Sequence, residues 1–181
     1  MGDAVAPLTA LDIPELHGLV ERAYRGDSAR VGWTHEADLL GGQRTDIDAL
    51  AEIIADPDQA ILGLRRDGRL VGCVQVTRKD SERAYLGMLS VEPELQAAGL
   101  GRALIAAAES HARDGWRCSR MEMTVIRQRA ELIAYYERRG YVRTGEEAPF
   151  PATNPRFGLP KRDDLGFVVL ARPLSRRSSV G

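Results

Sequence analysis

Two glycines and an arginine stand where a helix is expected to begin, at Gly99, Gly101 and Arg102. Residues 85–91 before them are apolar apart from one glycine and one serine, which is typical of a strand buried on both faces. Glu92-Pro93 ends this strand, and apolar residues recur at helical spacing from position 100 onward. The first N–H groups of a helix have no intrahelical acceptor and carry a partial positive charge, so bare glycine backbone there predicts a phosphate site.

The two common nucleotide-binding patterns do not fit this segment. The dinucleotide fingerprint requires a third glycine where this chain has Leu104, and the Lys-Ser/Thr pair of a triphosphate-binding loop is absent. The pattern Gln96-x-x-Gly99-x-Gly101-Arg102 instead resembles the pyrophosphate-binding motif of the GNAT superfamily of acyl-CoA-dependent N-acyltransferases. The alternative is that the two glycines form only a tight turn.

The resemblance implies that acetyl-CoA is the cofactor and coenzyme A the product. In that family the backbone of this loop holds the pyrophosphate, and the end of the preceding strand pairs with the pantetheine arm. The cofactor-binding residues that it implies are Leu89, Ser90, Val91, Gln96, Ala97, Ala98, Gly99, Leu100, Gly101, Arg102, Ala103 and Arg129. Arg129 stands where many members have an asparagine, and its side chain could reach a phosphate.

A second motif supports the resemblance. Residues 129–141 are similar to the family's later motif, in which a helix ends in a tyrosine, three further residues, a glycine and an aromatic. The tyrosine corresponds to Tyr136, whose equivalent is proposed to protonate the departing thiolate. A free tyrosine has a pKa of about 10 and is protonated at neutral pH, as such an acid must be. The alternative role of Tyr136 is packing in the core.

Acyl transfer to an amine also needs a base and an oxyanion donor. A backbone N–H within residues 89–91 is the expected donor. Glu36 is our candidate base, and Asp38, Glu82, Glu122 and His35 remain alternatives.

The resemblance implies an acceptor site built by the loop between the first two helices and the loop between the last two strands, here residues 33–43 and 150–161. The expected substrate-binding residues are Trp33, Thr34, His35 and Glu36, because an aromatic plate and carboxylates suit a primary ammonium.

Hydrophobic periodicity predicts the element order β-α-α-β-β-β-α-β-α-β-β. Asp12, with Glu15 as capping-box partner, is expected to begin the first helix, and Thr45 or Asp46 the second. Asp67-Gly68 predicts a tight hairpin turn. This is the order of an α/β (α+β) GNAT-like fold, a mixed, mostly antiparallel sheet of about seven strands with about four helices. The resemblance adds a splay between strands 4 and 5.

Composition restricts the class of protein. The chain has 181 residues, 44% of them hydrophobic, and a formal net charge of -1, which excludes nucleic-acid binding through a broad basic face.

Without a membrane-spanning run or a secretory signal, we expect a cytoplasmic protein that does not engage a membrane. Cys73 and Cys118 are too few for a disulfide framework or a zinc site, so both are expected to be reduced core residues, and no metal is implied. We expect one domain over residues 1–173 and a disordered tail over 174–181.

These observations lead to one function and two alternatives. The chain is expected to transfer an acetyl group from acetyl-CoA to a primary amine of a small molecule or amino-acid-like substrate, by direct attack in a ternary complex. A peptide or protein N-acetyltransferase and a non-catalytic acyl-CoA-binding module are the alternatives. We expect the protein to be a monomer or a homodimer. The richness in Ala, Arg and Gly suggests a bacterial source.

Overall fold

The computed structural model describes residues 3–24, 40–41, 45–149, 159–160 and 165–175. Trp33, Thr34, His35, Glu36 and Asp38 lie outside the described residues, as does most of the second acceptor loop. Within the described part of the chain, no helix is both long and apolar enough to cross a membrane.

Seven strands form one mixed sheet in the order β1-β2-β3-β4-β5-β7-β6. Every neighbouring pair is antiparallel except β4 with β5, which is parallel. The predicted mixed, mostly antiparallel sheet is therefore confirmed. The strands are β1 Ala4–Pro7, β2 Gln59–Arg66, β3 Arg69–Arg78, β4 Arg83–Val91, β5 Arg120–Ile126, β6 Val142–Pro149 and β7 Gly166–Pro173.

Four α-helices of the described residues flank this sheet, in agreement with the predicted number of about four. They are α1 Ile13–Tyr24, α2 Ile47–Ala55, α3 Leu100–Ser110 and α4 Ala130–Arg138. The apolar residues of α1 and α2 pack with β2 and β3 in one buried cluster, while those of α3 and α4 belong to a larger cluster with β2–β5 and β7. The sheet is thus buried between two helical layers, with α1 on one side and α3 and α4 on the other.

Local capping explains where the first two helices begin. α1 begins at Ile13, directly after Asp12 as predicted, but the predicted cap is wrong: the Thr9 N–H donates to the Asp12 carboxylate (2.8 Å), and a 3-10 turn over Ala10–Asp12 leads into the helix. Glu15 does not close a capping box with Asp12; it accepts instead from the N–H of Leu70 (3.0 Å). For α2 the prediction is confirmed, since Asp46 accepts from the N–H of Ala49 at 2.7 Å.

The turns and the cysteines also follow the predictions. Asp67 and Gly68 both have positive φ, 51° and 80°, as a two-residue hairpin turn requires. Cys73 and Cys118 are buried, unoxidised thiols of the core, as predicted. Leu174 is buried, and its N–H donates to the Ser119 carbonyl (2.8 Å).

A buried ion pair joins α3 to the last strand. Glu109 accepts from Arg172 Nη1 at 3.0 and 3.2 Å and from the Tyr141 hydroxyl at 3.4 Å. Burial raises the pKa of Glu109, and Arg172 and Tyr141 oppose that shift. This pair ties α3 to the segment after α4, because Arg172 also donates to the Arg139 carbonyl (2.9 Å).

We expect Arg172→Ala to lower the free energy of unfolding by about 2 kcal/mol at pH 7. A fully buried pair broken on one side costs roughly 3–5 kcal/mol, and the 40% exposure of the Arg172 side chain reduces the effect. Because the pKa of Glu109 is raised in the folded state, the folded protein binds more protons, and stability should recover as the pH falls from 7 towards 5. Urea unfolding at several pH values measures both effects.

The double variant Glu109→Gln/Arg172→Ala is the control. It removes the stranded charge, so its stability should exceed that of Arg172→Ala at pH 7 and should lose the recovery at lower pH. Equal stability of the single and double variants across this range would contradict a buried, charged Glu109.

Candidate active site between two parallel strands

The two parallel strands at the centre of the sheet separate after a short contact. Only Arg83, Ala84 and Tyr85 of β4 pair with β5, at residues 120–122, although β4 continues to Val91 and β5 to Ile126. We call the opening between residues 86–91 and residues 123–126 the interstrand gap. It is the splay between strands 4 and 5 that the resemblance implied.

A bulge in β4 lies along this gap. The register of β4 on β3 shifts between Cys73 and Gln75, and Met88 has a φ of 50°, which is rare for a residue with a side chain. The Met88 carbonyl accepts from Ser90 Oγ (3.1 Å) and from Cys73 Sγ (3.8 Å). Such a conformation persists only when its surroundings hold it, and these two contacts do so.

The end of β4 continues into the glycine loop. Pro93–Ala98 form a 3-10 turn, Gly99 adopts the left-handed conformation (φ 78°), and α3 begins at Leu100. A Cβ placed on Gly99 would meet no heavy atom within 4 Å, so the backbone is open on that side. Because the first intrahelical bond here runs from the Ala103 N–H to the Gly99 carbonyl, the preceding N–H groups have no acceptor within the helix.

Gln96 stabilises the loop from within. Its side chain is buried and Nε2 donates to the Val91 carbonyl (3.1 Å). Gln96 therefore ties the turn to the last residue of β4, and its predicted contact with the cofactor stays a prediction.

A buried carboxylate holds the junction between strand and loop. Glu92 is 2% exposed, with Oε1 at 2.5 Å from Arg22 of α1 and 3.2 Å from Arg69 of β3. From the sequence, Glu92 is predicted only to end a strand. Its ion pairs are not predicted, because Arg22 and Arg69 lie 70 and 23 residues away in the chain.

Positive charge collects beside the helix start. Arg102 is exposed in the first turn of α3, and Arg102, Arg138 and Arg139 all act electrostatically on the Tyr135 hydroxyl. The guanidinium of Arg139 lies over the Tyr135 ring at 5.0 Å. Within the described residues, none of these three arginines pairs with a carboxylate, whereas Arg65, Arg66 and Arg78 each do. An anionic ligand would neutralise this cluster.

Tyr136 belongs to the buried cluster that also contains Leu89 and Val91 of β4 and Met123 and Val125 of β5. It is 6% exposed and its ring packs edge-on against Tyr135 (5.6 Å) and Tyr141 (6.1 Å). Burial raises the pKa of Tyr136 well above 10, the neighbouring phenols including Tyr24 raise it further, and Arg129 opposes them. Its hydroxyl is therefore protonated at neutral pH and available as a donor.

Local sequence explains the position of Tyr136. Gly140 has a φ of 95°, and the N–H of Tyr141 donates back to the Tyr136 carbonyl (3.2 Å), which together end α4 in a Schellman turn. Arg129 stands at the other end, where its carbonyl accepts from the N–H of Ile133 (3.0 Å).

Two alternative base candidates lie at the closed end of the strand pair. The Glu82 carbonyl accepts from the N–H groups of Ser119 and Arg120, and its side chain is exposed. Glu122 is bound by Arg120 (3.1 Å) and Arg83 (3.8 Å). Both positions precede the point at which β4 and β5 separate.

The two loops expected to bind the acceptor meet in the structure. Leu40–Gly41 pairs antiparallel with Leu159–Pro160, one pair of residues from each loop.

Comparisons with known proteins agree with this geometry. The model of the acetyltransferase (GNAT) family matches residues 19–141. An uncharacterized N-acetyltransferase of Mycobacterium tuberculosis is 31% identical over 91 residues, which are 50% of this chain and 58% of that protein. The chain therefore aligns with little more than half the length of the curated relatives it matches.

Two solved structures have the same fold. The ribosomal-protein-S18-alanine N-acetyltransferase of Escherichia coli superposes with a TM-score of 0.70 at 16% identity, covering 99% of both chains. The spermidine/spermine N-acetyltransferase SpeG of Vibrio cholerae gives a TM-score of 0.66 at 16% identity, covering 96% of this chain and 95% of that one. The divided strand pair, the glycine loop and the family match over more than half of the sequence lead to one conclusion: the chain belongs to the GNAT family of acetyltransferases.

Proposed function

We propose that this chain transfers an acetyl group from acetyl-CoA to a primary amine of a small molecule or amino-acid-like substrate, by direct attack in a ternary complex. The observation that carries the proposal is the interstrand gap, which lies along the part of β4 that leads into the helix start at Gly99. The protonated phenol of Tyr136 belongs to the buried cluster that contains residues of both strands beside the gap, and it is the acid that we propose. Family membership supplies the reaction class and its acetyl donor.

The donor's phosphates suit the helix start. At residues 99–102, backbone N–H groups have no acceptor within the helix and can donate to a phosphate. The side chains of Arg102, Arg138 and Arg139 add positive charge that no carboxylate of the described residues pairs with. The pantetheine arm suits the gap, because an extended chain can pair along the segment Leu89, Ser90 and Val91 of β4, where the Val91 N–H faces away from β3. Arg129 and the segment from Gln96 to Ala103 complete the proposed cofactor site.

Acetyl-CoA would supply an activated acetyl group, and the chain's own residues would direct its transfer. A backbone N–H of residues 89–91 would donate to the carbonyl oxygen as negative charge develops there. Tyr136 would give its proton to the departing sulfur, while the proton lost by the amine would pass to Glu36. Trp33, Thr34 and His35 would line the acceptor site beside it. The ladder between residues 40–41 and 159–160 supports this site, because it joins the two loops that would form it.

Coenzyme binding gives the first prediction. Acetyl-CoA and coenzyme A should raise the unfolding temperature of the protein, whereas NAD should not, and ligand at 100 times its Kd adds about 2.7 kcal/mol. Arg102→Ala should weaken coenzyme A binding about tenfold, because it removes a charge-assisted contact to phosphate. Calorimetric titration measures the Kd.

Arg143→Ala is the matched control. Arg143 is an exposed arginine of the edge strand β6, so its loss changes the net charge equally without touching the glycine loop. Absence of any response to either coenzyme would reduce the glycine loop to a tight turn and remove the proposal.

Turnover gives the second prediction. Tyr136→Phe should lower kcat about 100-fold with little change in the KM for acetyl-CoA, because it removes only the acid. Wild-type kcat should show no loss due to Tyr136 ionisation up to about pH 10, since burial raises its pKa well above that value. Release of free thiol with a panel of amines, including spermidine, amino acids and peptides with free N-termini, measures both.

Tyr141→Phe serves as the comparison, because it deletes a neighbouring phenol hydroxyl that contacts Glu109. It should lower stability and preserve kcat. Undiminished turnover of Tyr136→Phe across the pH range would remove Tyr136 from the mechanism. If the wild-type protein turned over only the peptides of the panel, the proposed small-amine substrate would be wrong and a polypeptide would take its place.

A further inference from the structure

Tyr24 connects the end of α1 to the interstrand gap. Its side chain is 7% exposed, packs in the same cluster as Cys73 and Met88, and donates its hydroxyl to the Leu89 carbonyl of β4. Leu89 follows Met88, the bulge residue with a φ of 50°. The sequence around Tyr24 predicts only a position on the apolar face of a helix.

The ladder between β3 and β4 shows which way this carbonyl points. The Glu92 N–H donates to the Val71 carbonyl (2.9 Å), and bonded pairs alternate in antiparallel strands, so Ser90 and Cys73 form the next bonded pair. The Ser90 N–H therefore faces β3. The Leu89 carbonyl, on the opposite side of the same peptide plane, faces the gap, and so does the Val91 N–H.

Side chains from two other elements thus bind consecutive carbonyls of the bulge. Cys73 of β3 contacts the Met88 carbonyl from one side, and Tyr24 of α1 binds the Leu89 carbonyl from the other. A phenylalanine at position 24 would fill the same space in the core, so packing alone does not require the hydroxyl. The Tyr24 hydroxyl fixes the orientation of the Leu89–Ser90 peptide. The orientation of that peptide in turn sets the direction of the following N–H, that of Val91, which faces the gap.

We propose that Tyr24 is a positioning residue, whose hydroxyl orients the Leu89–Ser90 peptide so that the edge of β4 can pair with the acyl-bearing arm of the coenzyme. The inference rests on the proposed function, because it assigns the arm to the gap. Tyr24 is also close enough to Tyr136 to act on it electrostatically.

The test compares Tyr24→Phe with wild type using two ligands. Coenzyme A has an arm to place in the gap, whereas 3′-phosphoadenosine 5′-diphosphate, its nucleotide half, has none. We expect Tyr24→Phe to weaken coenzyme A about tenfold and to leave the nucleotide half unchanged, because one hydrogen bond orients only the gap. Amide hydrogen exchange should accelerate about tenfold at Ser90, and not in the β2–β3 hairpin.

Tyr85→Phe is the matched control. Tyr85 is a half-buried tyrosine of β4 whose hydroxyl hydrogen-bonds Thr124 of β5, where the two strands begin to separate. It should leave the coenzyme A affinity and the Ser90 exchange rate unchanged. Unchanged or tighter coenzyme A binding by Tyr24→Phe, or equal weakening of both ligands, would overturn the inference. Failure of wild-type protein to bind either ligand would instead remove the proposed function, and unaltered Ser90 exchange would then overturn the positioning role by itself.

Discussion

The structure depends on one interruption of hydrogen bonding, the end of the parallel pairing between β4 and β5 after three pairs of residues. Buried backbone N–H and C=O groups need hydrogen-bond partners. Beyond Tyr85, the groups of β4 that face β5 would cost free energy if nothing bonded to them in place of that strand. Side chains supply part of the replacement, since Tyr24 binds the Leu89 carbonyl and Gln96 binds the Val91 carbonyl. The same interruption leaves an edge on which an extended ligand can complete the pairing.

Two buried carboxylates brace the elements around this interruption. Glu92 joins the end of β4 to α1 and β3, and Glu109 joins α3 to β7. A buried charge without a partner is costly, so each carboxylate is paired with arginines from other elements: Glu92 with Arg22 and Arg69, and Glu109 with Arg172. Both pairs lie on elements that surround the gap, which connects the packing of the sheet to the geometry of the site.

The near balance of acidic and basic residues hides a local imbalance. The chain has 25 basic and 26 acidic residues, and many of its arginines are held in ion pairs. Arg102, Arg138 and Arg139 gather around Tyr135 without carboxylate partners among the described residues. Net charge therefore excludes a broad basic face, while the cluster beside the helix start still suits a small, highly charged anion.

The sequence by itself determined the order of elements, the cap of α2 to within one residue (Thr45 or Asp46), the Asp67-Gly68 turn and the glycine loop, because each depends on residues close together in the chain. The start of α1 shows the limit of such reasoning: Asp12 and Glu15 have the right spacing for a capping box, but Glu15 is drawn to the Leu70 N–H and Asp12 caps with Thr9. Only the tertiary structure decided that Tyr24 reaches Leu89 and that Glu92 binds Arg22. Those contacts join residues 65 and 70 positions apart, and the packing of α1 on the sheet, which no local pattern encodes, brings them together.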